Sequence, residues 1–288
     1  YPDPYQRQLK EKIAGIKNVP ANSIFLGNGS DEAIDLIIRA FCEPGKDNVI
    51  TMPPTYGMYK VAAGINDIKN KEIVLQDDFQ IDVNTVLASI DENTKLIFVC
   101  SPNNPTGNCM KENDIIALLN NFNGLVVVDE AYIDFCDKPS LKERLRQYSN
   151  LIVLQTFSKA WGLAGIRLGM AFADAEIIQV INKIKPPYNV NRLTQEMALQ
   201  SLQNSEKVQS RINEILHQRA ELTKYLKSLP IITKVYPTDA NFILVKTGQA
   251  RQIYQALIEQ NVVIRDRSTV ALCSGCLRIT VGTPEQNE

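Results

Sequence analysis

The segment Thr156–Phe157–Ser158–Lys159, followed by Gly162, Gly165 and Arg167, sets one amine among hydroxyls and a second cation. It comes directly after the apolar run Leu151–Gln155. Partial burial or a neighbouring cation lowers a lysine's pKa, and the free amine can then attack a carbonyl carbon to form a Schiff base. The hydroxyls and Arg167 suit an anionic group beside that amine. A single lysine is more often an ordinary surface charge, so this reading depends on what accompanies it.

Three further polar segments also follow apolar runs. Gly27–Asn28–Gly29–Ser30–Asp31–Glu32 opens a helical pattern. Its glycines let the backbone approach a ligand, and free N–H groups with the helix dipole favour phosphate. It lacks the Gly-Lys-Ser/Thr ending of a P-loop, and taken alone it is equally a turn with Ser30 as the cap. Ser101–Pro102–Asn103–Asn104–Pro105–Thr106–Gly107 makes a rigid loop whose amides can donate to a ligand oxygen, or simply a turn. Asp129–Glu130–Ala131–Tyr132 ends the run L-V-V-V. A carboxylate there is costly unless paired. A protonated ring nitrogen would pair it; the plainer alternative is a cap on the next turn. In open α/β sheets ligands sit beyond the carboxyl ends of the strands, and all four segments occupy that place. A lysine nucleophile, an aspartate for a ring nitrogen, amide and hydroxyl donors and an anion cradle form the inventory of a pyridoxal-phosphate site.

The elements that must position these groups follow from periodicity. Asn48–Thr51, Lys71–Leu75, Lys95–Cys100, Leu125–Asp129, Leu151–Gln155 and Leu168–Ala173 read as strands. Asp31–Phe41, Lys111–Asn120 and Ala175–Ile184 read as helices between them. Continuous apolar runs suit strands buried on both faces, so the expectation is an α/β fold with a mostly parallel central sheet covered by helices. Helices over Leu193–Leu202 and Glu206–Ser228 come next, then strands at Thr233–Tyr236 and Phe242–Val245, a helix near Arg251–Gln260, and strands at Val262–Arg265 and Leu277–Val281. That change of pattern predicts a large domain over residues 1–208 and a smaller C-terminal α+β domain over 209–288.

The chain has 288 residues, 44% hydrophobic and 22% charged, with 31 basic and 32 acidic side chains and a formal net charge of -1. That balance argues against nucleic acid or an acidic membrane as the main partner. Six scattered cysteines read as free, mostly buried thiols of a reducing compartment, and the cytoplasm is the expected location. Cys273 and Cys276 form a C-x-x-C, but the one histidine, His217, lies in a long polar helix pattern, so no metal site is expected. No apolar run approaches a membrane span, and no signal peptide is visible. The chain opens on Y-P-D-P, with no starting methionine, so the lack of a targeting signal carries little weight.

In order along the chain, G-N-G-S-D-E-A-I, P-P-T-Y-G-M-Y, S-P-N-N-P-T-G, V-V-V-D-E-A-Y, T-F-S-K-A-W-G-L-A-G-I-R-L-G and C-L-R-I-T-V-G-T resemble the histidinol-phosphate branch of the class II, fold-type I aminotransferases. The likeness spans essentially the whole chain. It implies pyridoxal 5'-phosphate bound covalently by Lys159, which then shuttles the proton of the substrate α-carbon. It implies Asp129 on the ring nitrogen, Tyr132 and Asn104 on the phenolic oxygen, and Tyr56 against the ring face. The phosphate falls to backbone N–H groups of Ser30, Asp31 and Glu32 with Thr156, Ser158 and Arg167. Tyr1, in the Y-P-D-P position, is expected to reach the cofactor phosphate of a partner subunit, so the resemblance implies a homodimer with shared sites. Arg278 and Arg265, with Asn104, are expected to hold the substrate's phosphate; a surface charge beside Asp266 is the other reading of Arg265. The family also has a segment before Y-P-D-P that closes over the substrate. The implied reaction joins histidinol phosphate and 2-oxoglutarate to imidazole-acetol phosphate and glutamate. An aminotransferase for aromatic or other amino acids, a threonine-phosphate decarboxylase on the same fold, and a pyridoxal-phosphate-responsive sensing module are the rivals.

Overall fold

The computed structural model describes residues 1–287. The first part of the chain runs α1 (Arg7–Lys17), β1 (Ile24–Asn28), α2 (Gly29–Phe41), β2 (Asn48–Thr51), α3 (Met58–Ile65), β3 (Lys69–Glu72), α4 (Val83–Ala88), β4 (Thr94–Cys100), α5 (Glu112–Asn121), β5 (Leu125–Asp129), β6 (Leu151–Thr156), β7 (Leu168–Phe172), α6 (Ala175–Ile184) and α7 (Arg192–Leu202). Its seven strands form one sheet in the order β1-β7-β6-β5-β4-β2-β3. Only β7 runs antiparallel to its neighbours, so the other six strands point the same way. The four polar segments follow β1, β4, β5 and β6 and therefore emerge on one edge.

Both faces of this sheet are covered. Along β4, Leu96, Phe98 and Cys100 pack with Ala33, Ile37 and Ile178 of α2 and α6. Ile97 and Val99, which point the other way, pack with Leu9, Ile115 and Leu118 of α1 and α5. That alternation is why the strands read as uninterrupted apolar runs.

α8 (Ser205–Ser228) leads to β8 (Ile232–Val235), β9 (Phe242–Thr247), α9 (Ala250–Glu259), β10 (Arg265–Asp266) and β11 (Cys276–Thr280), whose strands form a four-stranded antiparallel sheet in the order β10-β11-β9-β8. Val208 and Ile212 of α8 belong to the core of the large sheet, while Leu222 and Leu226 belong to that of the small one. β9 divides in the same way: Phe242 and Leu244 face the large sheet's core, and Ile243 and Val245 face the small one. One face of the small sheet is thus pressed against the larger body, and the cleft lies along that seam.

Three strand expectations differ from the structure. The strand expected at Lys71–Leu75 is β3, at Lys69–Glu72; it is a polar edge strand without an alternating signal, and the apolar Ile73–Leu75 only continues alongside β2. Val262–Arg265 is not a strand: Val262 and Val263 are exposed, and pairing begins at Arg265. Ile24–Asn28 forms β1, which had been read only as the apolar run before the glycine-rich turn. His217 is exposed on α8. Among the described residues no helix is long and apolar enough to cross a membrane.

Candidate active site

A cavity of about 330 Å³ opens where the loops after β1, β4, β5 and β6 meet the small sheet. Its walls bring together Ser30, Asp31, Tyr56, Asn104, Asp129, Tyr132, Thr156, Ser158, Lys159, Arg167, Arg265 and Arg278 from the sequence reading, and add Gly29, Cys100, Ala131 and Arg267. Glu32 and Tyr1 are not among them. The Glu32 carboxylate turns back to accept the Asn28 N–H and the amides of Asn28 and Asn189, bracing the turn from behind. Tyr1 is fully exposed and stacks on Tyr188, with ring centres 5.0 Å apart.

The anion cradle is the start of α2. Asn28 gives no side-chain cap; the Gly29 N–H donates to the Arg167 carbonyl at 3.0 Å, and the N–H groups after it open a 13-residue helix whose dipole favours an anion. Two glycines allow the close packing. Gly29 has φ +73°, and a Cβ there would stand 2.7 Å from Arg167 Nη2. A Cβ on Gly169 of β7 would stand 2.4 Å from the Ser30 backbone nitrogen. Arg167 itself has φ 52°, a left-handed conformation uncommon for a non-glycine residue. Its guanidinium lies 3.6 Å from Asp31, whose other oxygen accepts the Tyr56 hydroxyl at 3.0 Å. Thr156 and Ser158 hydrogen-bond each other at 3.0 Å on the same side.

Asp129 ends β5 and is buried. It accepts the Tyr59 hydroxyl at 2.7 Å and the Ala131 N–H at 3.1 Å. Burial raises its pKa, and these two donors oppose that rise. Tyr59 is itself fully buried, stacked on Phe98 at 4.9 Å and edge-on to Tyr56. The residue after Asp129, Glu130, faces away from the cavity and accepts from Ser140, Leu141 and Gln155.

Lys159, beyond β6, opens into the cavity with Nζ 5.3 Å from the centre of the Tyr132 ring. Partial desolvation lowers its pKa, Arg278 and Arg167 push the same way, and Asp129 pulls back. This is the environment an amine nucleophile needs. Burial lifts the Tyr132 hydroxyl to about 12, with Arg278 opposing. Of the two adjacent asparagines, Asn103 is wholly buried in loop contacts with Pro54, Thr55 and Thr106, so Asn104 alone reaches the cavity, where it accepts from Arg278 Nη1.

The opposite wall is cationic. β10 and β11 pair Arg265 with Arg278, and Arg267 follows two residues on. Among the described residues none of the three forms an ion pair. Asp266 is turned to Ser268 instead, so it leaves Arg265 free of a salt bridge. The Nε atoms of Arg267 and Arg278 are buried without a hydrogen-bond partner. Burial lowers the Arg278 pKa, which Tyr132 counters, and the other two arginines lower it further.

Tyr59 and Arg267 were not singled out from the sequence. Tyr59 stood in P-P-T-Y-G-M-Y, three residues after Tyr56; Tyr59 lies in the first turn of α3 and Tyr56 just before it, and their rings meet edge-on at 5.6 Å. Arg267 stood two residues after Arg265, on the same side of an extended chain.

The pocket's donor set fits pyridoxal 5'-phosphate: a buried carboxylate lacking a cation, a depressed lysine beside it and a free helix start for the phosphate. A family model described as aminotransferase class I and II matches residues 1–288. The chain belongs to that family and is a pyridoxal-phosphate-dependent transaminase of fold-type I. Within it, the chain is 54% identical over 288 residues to the histidinol-phosphate aminotransferase of Cytophaga hutchinsonii, covering 100% of this chain and 83% of that protein. The histidinol-phosphate aminotransferase of Sinorhizobium meliloti, solved in complex with pyridoxal-5'-phosphate, superposes with a TM-score of 0.90 at 25% identity, covering 100% of this chain and 79% of that one. L-threonine-O-3-phosphate decarboxylase from Porphyromonas gingivalis superposes with a TM-score of 0.84, also at 25% identity, covering 100% and 87%.

Proposed function

We propose that the chain transfers an amino group between L-histidinol phosphate and 2-oxoglutarate, giving imidazole-acetol phosphate and L-glutamate in histidine biosynthesis. The observation that carries the substrate is the wall of Arg265, Arg267 and Arg278, three cations without a carboxylate, two with unbonded Nε atoms. Guanidinium groups bind phosphate with paired hydrogen bonds, and three of them suit a dianion. The 54% identity to the Cytophaga protein supports the same reading.

When bound, the cofactor supplies an aldehyde carbon that takes up the amino group and a ring that draws electrons from the substrate α-carbon. Lys159 would hold that carbon, and its amine, when free, would carry the α-proton, a task its lowered pKa favours. Asp129, which accepts from Tyr59 and Ala131, would hold a proton on the ring nitrogen. Asn104 and Tyr132 would hold the phenolic oxygen, and Tyr56 would pack against the ring. The N–H groups of Ser30, Asp31 and Glu32, with Thr156, Ser158 and Arg167, would hold the cofactor phosphate. Asn104 links this half of the site to Arg278.

The same reading includes a large domain over residues 1–208, a small one over 209–288, and a cytoplasmic homodimer. Tyr1 lies outside its own cavity, free to reach a second subunit's phosphate. Size and reaction are tested together. Light scattering should give a dimer. Protein loaded with pyridoxal 5'-phosphate is offered histidinol phosphate, phenylalanine or threonine phosphate with 2-oxoglutarate. Glutamate should form fastest with histidinol phosphate. Release of carbon dioxide from threonine phosphate, or faster turnover of phenylalanine, overturns the substrate assignment.

A further inference from the structure

Outside the cleft, two cysteines from different cofactor loops meet. Cys109 closes the loop after β4 that carries Asn104, and Cys136 lies beyond Tyr132 in the segment after β5. Their sulfurs stand 3.0 Å apart, 27 residues apart in sequence. The small domain braces the same spot: the Asp239 carboxylate accepts the Cys109 N–H at 2.8 Å, and the Asp239 N–H donates to Gly107 at 2.7 Å. Asp239 completes a group of three possible metal ligands. A tetrahedral zinc, with bonds of about 2.3 Å, needs its sulfurs roughly 3.8 Å apart. A disulfide needs about 2.05 Å, so the pair is about 1 Å from bonding. The spacing therefore favours the covalent bond.

We propose that Cys109 and Cys136 are a reversible dithiol–disulfide site that staples the Asn104 loop to the Tyr132 loop. The two sulfurs differ in access. Cys136 is half-buried, and Cys109 is buried. The contact between the two sulfurs, in which either can donate, lowers the Cys136 pKa with help from the Lys138 N–H, while burial and the Asp239 and Asp137 carboxylates oppose. Cys109 is pushed up by that same hydrogen bond and by burial. Cys136, the sulfur that solvent reaches, is accordingly the attacking thiolate. It attacks a small-molecule disulfide such as oxidised glutathione, whose S–S bond breaks and releases one thiolate. That thiolate takes the Cys109 proton. The Cys109 sulfur then attacks Cys136, forms the internal bond and displaces the second glutathione as a thiolate, which takes up the proton that Cys136 gave to solvent. Two protein thiols are oxidised and one glutathione disulfide is reduced to two thiols.

The test uses the cofactor-loaded protein. With oxidised glutathione, two thiols should become resistant to alkylation, peptide mapping should show Cys109 joined to Cys136, and Tm should rise by about 5–10 °C. Dithiothreitol should reverse all three. Cys109→Ser should trap a stable glutathione adduct on Cys136, and Cys136→Ser should take none at Cys109. Reduced variants that keep wild-type Tm and transamination show that folding is intact. A stable adduct on the wild-type protein, or oxidation confined to Cys273 and Cys276, overturns the site. An adduct on Cys109 in Cys136→Ser overturns the order of attack.

Discussion

The two walls of the cleft are built on different terms. On the large-sheet side nearly every functional group already has a partner: Asp129 has Tyr59 and Ala131, Arg167 has Asp31, and Asp31 has Tyr56. On the small-sheet side Arg265, Arg267 and Arg278 crowd together, and burial, with the charges of the other two, lowers the Arg278 pKa. The first wall is organised before anything binds, which is what electrostatic assistance to a reaction requires. The second is a set of cations waiting for an anion. Chemistry belongs to the first wall and substrate choice to the second, so damage to each should leave a different kinetic signature.

The largest effect falls on the chemical wall. Lys159→Ala removes both the covalent tether and the proton carrier, and glutamate formation from histidinol phosphate should drop at least about 10⁴-fold. Turnover near the wild-type rate would place the reacting amine elsewhere. The substrate wall should respond through binding. Arg267→Ala removes a hydrogen-bonding charge, a loss of about 1.5–3 kcal/mol, so KM for histidinol phosphate should rise roughly 10- to 100-fold with little change in cofactor affinity. Arg267→Lys should recover only part, because a point charge cannot make paired contacts. An equal loss of cofactor would show that the two walls are not separable.

A smaller effect tests how the first wall is held. Tyr59→Phe deletes one donor to Asp129 and leaves the Ala131 N–H. The Tyr59 bond lowers the Asp129 pKa, so its loss raises that pKa. The ionised form is then lost at higher pH, and the acid limb of the pH–rate profile should move upward, with turnover at neutral pH down about tenfold. An unmoved limb would separate Tyr59 from the role of Asp129.

The same contrast explains what the sequence disclosed. The large wall was legible because short loops after buried strands fix where Asp129, Asn104 and Lys159 stand, and because six parallel strands share one carboxyl edge. The boundaries of β4, β5 and β6 followed from uninterrupted apolar runs. β3 was misplaced because an edge strand of Lys, Asn, Lys and Glu carries no burial signal. Arg267 and Tyr59 were harder to see, since each acquires its meaning only from a neighbour distant in sequence: Arg278 across the β10–β11 pairing, and Asp129 from α3. The Cys109–Cys136 contact joins two loops across β5 and has no local sequence signature.

Glu130 gives the smallest expected effect and the cleanest control, because it sits beside Asp129 yet serves only the scaffold. Burial lifts its pKa to about 7, against donors from Ser140, Gln155 and Leu141. In the unfolded chain it titrates near about 4.3. The folded state therefore binds more protons between those values, and stability contributed by this group is full below the lower one and lost as pH rises through about 7. Glu130→Gln removes that titration. The new amide oxygen can keep the Leu141 N–H as a donor, and its nitrogen, which replaces the oxygen accepting from Ser140 and Gln155 Nε2, gains an acceptor when the Gln155 amide turns over to present Oε1, now buried without a partner. Tm of the variant should match the wild type near pH 5 and exceed it by a few degrees at pH 8, with cofactor binding unchanged. A variant less stable at both pH values would show that the carboxylate's hydrogen bonds outweigh the cost of its buried charge.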